Sequence, residues 1–98
     1  MSNFPEPVLL VPDHRRYEMN VAGQVAFINY RREGKIIALT HAEVPAALNG
    51  RGIGSALVRG TLEQIKAAGD QVRALCPFIA AYIERHPEYD ALRADPKG

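Results

Sequence analysis

Two reversals in the first half of this 98-residue chain are too tight to be anything but hairpins. Ala22-Gly23 divides an alternating run that begins at Arg15, with Tyr17, Met19 and Val21 on one side, from a second alternation carrying Ala26, Ile28 and Tyr30 over residues 24–31. Arg32-Glu33-Gly34 divides that run from a third strand over residues 35–44. Links of two or three residues reverse the chain and cannot carry a crossover, so the three runs are predicted to form an antiparallel meander. Pro45 ends the third run and the spacing then changes. Ile53, Leu57, Val58, Leu62 and Ile65 recur at helical intervals as one wide apolar stripe that stops at Gly69. Residues 71–76 read as a fourth strand, which lies beyond a crossover helix and is expected to pair parallel to the third through a right-handed connection. Pro77 suits the first position of a second helix, whose Phe78, Ile79, Tyr82 and Ile83 keep helical spacing until Pro87. The predicted fold class is α+β with a mixed sheet: a three-strand meander, a helix, a parallel strand and a second helix.

Residues 15–89 carry this pattern, and the flanks read as accessory. Pro5, Pro7 and Pro12 interrupt residues 1–14, so residues 8–11 are expected to be at best a short edge strand in a mobile arm. Residues 90–98 read as a frayed polar tail. A chain of this length supports one core, burying roughly 60 to 65% of its unfolded surface. Twelve basic against eleven acidic residues leave a net charge of +1, which gives no bulk field for nucleic acid or anionic lipid. The cluster Arg15, Arg16, Arg31, Arg32 and Arg51 lacks the interleaved aromatic platform of a nucleic-acid module. The single Cys76 has no disulfide partner and no second ligand at metal-finger spacing, so no metal is expected. No apolar leader and no run of ~18 apolar residues occurs, and the protein is expected to be cytoplasmic and off the membrane.

The segment most suggestive of a ligand is Asn49-Gly50-Arg51-Gly52-Ile53-Gly54, followed by Ser55. A helix that starts here leaves its first N–H groups without internal partners and carries about half a positive charge at that end. Glycines keep Cβ atoms away from an approaching phosphate, and Arg51 adds a mobile cation. The P-loop pattern is excluded because its Lys is missing, and the dinucleotide fingerprint fails at Ser55. Taken alone, three glycines more often make a flexible turn with close helix packing. Their position between a strand-ending proline and an apolar helix, with a parallel strand to follow, is where a sheet opens to a ligand.

With these residues in view, the chain resembles the GNAT superfamily of acyl-CoA N-acyltransferases, and within it the small one-domain GNAT-like N-acetyltransferases. The resemblance spans roughly residues 15–89. The superfamily signature Q/R-x-x-G-x-G/A falls on Asn49 to Gly54, with Asn49 where Gln or Arg is usual. The small group is matched by Leu39-Thr40-His41-Ala42-Glu43-Val44-Pro45 and by Cys76-Pro77-Phe78 leading to Arg85-His86-Pro87-Glu88-Tyr89. The resemblance implies acetyl-CoA as donor, with its pyrophosphate on Asn49, Gly50, Arg51, Gly52, Ile53, Gly54 and Ser55. It implies that the third and fourth strands splay, so that the pantetheine arm pairs with backbone near Ala42 and Val44 and the thioester lies close to His41, Glu43 and Cys76. The reaction it implies is direct attack of an amine on the thioester, with a backbone N–H on the oxyanion.

Histidine is the residue type suited to take a proton from an ammonium near neutral pH, which makes His41 the first choice for base, and Glu43 shares its strand face. Either serves as base, or Glu43 orients the His41 ring; as plain strand residues, His41 is a ring hydrogen-bonded at the sheet surface and Glu43 is solvated. Cys76 sits where a helix end favours a thiolate and could carry an acyl group, although a lone strand cysteine is more often a small core residue. Tyr82 and Tyr89 are candidates to protonate the departing thiolate, and Tyr82 has core spacing as well. His86, before Pro87, suits a cap on the helix end. The acceptor is an amine of a protein or peptide, a polyamine or a metabolite, since Ala22-Gly23 leaves no room for helices that would wall it in. The competing reading is a module that binds acyl-CoA without turning it over.

Overall fold

The computed structural model describes residues 7–94. Its five strands form one sheet in the order β1-β2-β3-β4-β5, with β1 Val8–Val11, β2 Arg16–Val21, β3 Gln24–Glu33, β4 Ile36–Glu43 and β5 Gln71–Ala74. The meander is antiparallel throughout, and β5 joins β4 in parallel. The link between them holds α1 Ile53–Ala67, and α2 Pro77–Arg85 follows β5. The α+β class and the mixed sheet read from sequence are those observed.

Backbone conformation explains the turns. Val21 pairs with Gln24, which leaves Ala22 and Gly23 as a two-residue loop with φ of 52° and 80°. Positive φ at both positions matches the twist of the flanking strands. The second reversal falls slightly later than the sequence suggests: β3 runs on to Glu33, which pairs with Ile36, so the loop is Gly34 and Lys35, with Gly34 at φ 66°.

The core lies between the sheet and the helices. Tyr17, Met19, Ala26, Ile28, Ile37, Leu39 and Val72 from the strands meet Ile53, Leu57, Val58, Leu62 and Ile65 of α1 and Ile79, Tyr82 and Ile83 of α2 in one buried cluster. Thr61, the buried polar residue of α1, donates its hydroxyl proton to the Leu57 carbonyl at 2.8 Å and so costs little. None of the helices is long and apolar enough to cross a membrane among the described residues.

Both flanks are more structural than their sequences suggest. Val8 is buried in the core, and the Gln64 side-chain amide donates to the Val8 carbonyl, fixing β1 to α1. Gly60 makes this possible: a Cβ there would lie 2.5 Å from Val8 Cγ2. At the other end, the 3-10 helix Pro87–Leu92 buries Tyr89, and the Ala94 N–H donates to the Val72 carbonyl at 2.8 Å beside a Val72–Arg93 bridge. Residues 90–94 therefore close onto the far edge of β5. The rest of the expected tail, residues 95–98, and residues 1–6 of the expected arm lie outside the described residues.

Gly60→Ala is expected to cost about 1–3 kcal/mol through overpacking against Val8, outweighing the better helix propensity of alanine. Urea denaturation should show a lower midpoint, and Val8→Ala added to Gly60→Ala should lose less than the sum of the two single changes. Strict additivity would show that the two residues do not press on one another.

Candidate active site

The β4–β5 ladder runs from the pair Ile36 and Gln71 to the pair Leu39 and Ala74, and the Leu75 N–H donates a last bond to the Leu39 carbonyl. From there β5 turns through Cys76 into α2, whereas β4 continues to Glu43, paired only with β3. A wedge opens between the two strands. The strand ends earlier than residue 76 because Pro77 brings no backbone N–H and starts the helix at once.

A bulge lies at the mouth of the wedge. Asn29 pairs with His41 and Tyr30 with Leu39, so Thr40 is the extra residue of β4. It reverses the alternation. Ile37 and Leu39 face the core before the bulge; after it Ala42 and Val44 pack on the core, and His41 and Glu43 point to the helix-free face. Without the bulge, His41 and Glu43 would be driven into the core. On that outer face His41 Nε2 lies 3.2 Å from Glu43 Oε1, with both side chains more than half exposed. The Phe27 ring stands 6.3 Å from the His41 ring, and the Arg16 guanidinium covers Phe27 at 3.8 Å.

The glycine turn closes the other side of the wedge. Gly52 is the N-cap of α1 at φ 72°, and Gly50 has φ 80°; a side chain at either would meet no neighbour but would strain the backbone. No side chain caps α1, and its first turn holds no acidic residue. The amides at this end are open, and Arg51 is exposed beside them. Gly54 differs: a Cβ there would lie 3.0 Å from Phe78 Cζ, so this glycine serves the contact between α1 and α2. A cavity of about 330 Å³ runs from Val44 and Leu48 past Asn49 and Gly50 to Ser55, with Phe78 as a wall.

These features agree with the comparisons to known proteins. Residues 16–92 match the family described as GCN5-related N-acetyl-transferase. The chain belongs to that family. Protein NATD1 of Homo sapiens is 30% identical over 86 residues, covering 83% of this chain and 76% of its own length. Protein NATD1 of Gallus gallus is 29% identical over the same length, covering 83% and 78%. The solution structure of a GCN5-like protein from Staphylococcus aureus shares the fold, with a TM-score of 0.66 at 21% identity over 85% of this chain and 84% of that one.

The four side chains singled out for chemistry divide between the two faces of the sheet. His41 and Glu43 stand together on the bare face. Cys76 is the buried N-cap of α2 and belongs to the core cluster, with no capping bond from its side chain. Tyr82 is also buried, its ring stacked on His86 at 3.9 Å, and it lines a different cavity from the wedge. Tyr89 donates its hydroxyl to Glu63 Oε2 at 2.6 Å. His86 does sit at the end of α2, with Nδ1 donating to the Tyr82 carbonyl at 2.8 Å. Sequence reasoning did not single out Leu48 and the Thr40 bulge. The bulge leaves one trace, since the apolar positions shift phase from 37 and 39 to 42 and 44.

Burial, with Tyr30 nearby, pushes the Tyr17 phenol up to about 12; burial and the hydrogen bond to Glu63 push Tyr89 to about 12 as well. Both folded values lie above the ordinary 10.0, so each neutral phenol contributes stability that is complete below pH 10 and lost as pH rises through 12. Spectrophotometric titration should show tyrosines ionising late, together with alkaline unfolding. Ionisation of all four tyrosines near their ordinary value with the fold intact would contradict this.

Proposed function

We propose that the protein transfers an acetyl group from acetyl-CoA to an amine that docks on the bare face of the sheet. The observation that carries this reading is the uncapped amino end of α1, free of carboxylates, opening onto the wedge between β4 and β5. The fit to a pyrophosphate is direct: oriented N–H groups, a helix dipole, glycine at the two positions with positive φ, and an adjacent arginine. Asn49, Gly50, Arg51, Gly52, Ile53, Gly54 and Ser55 hold the phosphates. The apolar run of Val44, Leu48 and Phe78 receives the pantetheine arm, whose amides pair with the β4 edge at Ala42 and Val44.

Acetyl-CoA supplies the activated carbonyl, and the protein supplies position, a proton acceptor and a backbone dipole. With the Nε2 proton of His41 donated to Glu43, the Nδ1 lone pair faces outward and accepts the proton of the incoming ammonium, directly or through water. The amine nitrogen then bonds to the acetyl carbon as the carbon–sulfur bond breaks, the proton shed by the new amide nitrogen passes to the departing thiolate, and CoA leaves as the thiol. Cys76 is assigned to the wedge wall as a buried thiol. Tyr82 is assigned to packing, because it is buried, stacked on His86 and absent from the lining of the wedge cavity.

Acetyl-CoA incubated with a panel of primary amines should release free thiol, and His41→Ala should lower kcat by about a hundredfold. Tight binding without release across the panel would establish the binding-module reading instead. Gly52→Glu should weaken CoA binding by about a hundredfold or more, since it sets a carboxylate over the amides. Its backbone strain costs only about 1–2 kcal/mol, so the domain stays folded. Unchanged affinity would remove the pyrophosphate site.

A further inference from the structure

Two rows of side chains cross the bare face of the sheet toward the mouth of the wedge. Register places Arg16 opposite Asn29 and Asn29 opposite His41; beside them Glu18 stands opposite Phe27 and Phe27 opposite Glu43. Residues paired directly across a ladder share a face, so each row is a line of neighbours. From His41 to Arg16 is two strand spacings, about 10 Å at the backbone. The far end of the first row is a guanidinium held in place. Arg16 Cζ stands 3.8 Å from the centre of the Phe27 ring. A guanidinium seated on a ring has lost freedom before any ligand arrives, and the contact does not use up its N–H donors. Its ion pair among the described residues, Nη1 with Glu18 Oε2, spans 3.6 Å, too long for a hydrogen bond, and that carboxylate oxygen already lies 3.0 Å from His14 Nδ1. The half-buried Asn29 side chain makes no hydrogen bond among the described residues; only its backbone carbonyl accepts one, from Thr40.

The acetyl transfer itself uses none of Arg16, Asn29 and Phe27. An acceptor whose ammonium sits at His41 and Glu43 extends from there over Asn29 toward Arg16. A second cation at that end is repelled by the guanidinium, and a plain alkyl chain leaves it unmatched. A carboxylate meets a seated fork of donors with an amide donor beside it. We propose that the acceptor is a small amine carrying a carboxylate at the other end of a short chain, and that Arg16 and Asn29 bind this carboxylate and set the choice of acceptor. The assignment rests on the proposed function and names the substrate class of that same site. Phe27 acts through Arg16, as the residue that positions it.

Thiol release from acetyl-CoA by the full chain tests this with matched acceptors that differ only at the far end: β-alanine against β-alaninamide, and 4-aminobutyrate against 4-aminobutanamide, with spermidine and a lysine-bearing peptide as further arms. Each carboxylate should exceed its amide about fivefold or more in kcat/KM, as expected of a charge-assisted contact open to water. The advantage should shrink at high salt. Arg16→Gln should bring each ratio close to one, and Arg16→Lys should retain part of it. Because the readout is a ratio within one protein, a general loss of stability in a variant cancels. Equal rates for carboxylates and amides in the unaltered protein, faster transfer to spermidine or to the peptide, or an unchanged ratio in Arg16→Gln would each overturn this assignment and leave the acetyl transfer standing. No release with any acceptor would overturn the proposed function and this assignment together.

Discussion

A strand that has lost one neighbour still has a row of backbone groups to satisfy. Beyond Leu39, β4 keeps its bonds to β3 and has no ladder partner on the β5 side. Such groups are tolerated when water or a guest reaches them and costly when they are dry. The wedge is kept open by two local causes: Pro77 starts α2 without a backbone donor, and the bulge at Thr40 re-aims the end of β4. A guest with amides of its own is the natural partner for that edge, and the position of the wedge beside the amino end of α1 makes one elongated ligand able to use both.

The three glycines of the turn have separate physical duties. Gly50 and Gly52 adopt left-handed backbone that a side chain would strain, and they leave open space above the helix end. Gly54 gives up its side chain to Phe78, letting α2 pack close enough to wall the wedge. The spacing of the motif thus combines an open helix end with close packing, which is why an isolated glycine pattern does not distinguish the two.

The hairpins, the crossover and both helices were legible because each is specified by neighbours in the chain: Ala22-Gly23, the stripe from Ile53 to Ile65, and Pro77. The flanks were not, because their anchors are distant. Val8 is a core residue only because Gly60 and Gln64 of α1 accept it, and Tyr89 only because Glu63 accepts a hydrogen bond from its hydroxyl. Local sequence around Pro5, Pro7 and Pro12 gives no sign of either contact. The pairing of His41 with Glu43 followed from their spacing of two. Their exposure followed from the bulge at Thr40, which a strict two-residue period does not reveal, while the burial of Cys76 and Tyr82 separates them from that pair.

Both α1 and α2 pack on one side of the sheet, and the histidine–carboxylate pair stands on the other. The two routes into the wedge are therefore independent doors, one past the end of α1 and one across the bare strands. On the proposed reading a donor entering by the first leaves the second unobstructed, so the fold imposes no sequence of arrival. On the same reading, a complex containing both reactants can assemble in either order.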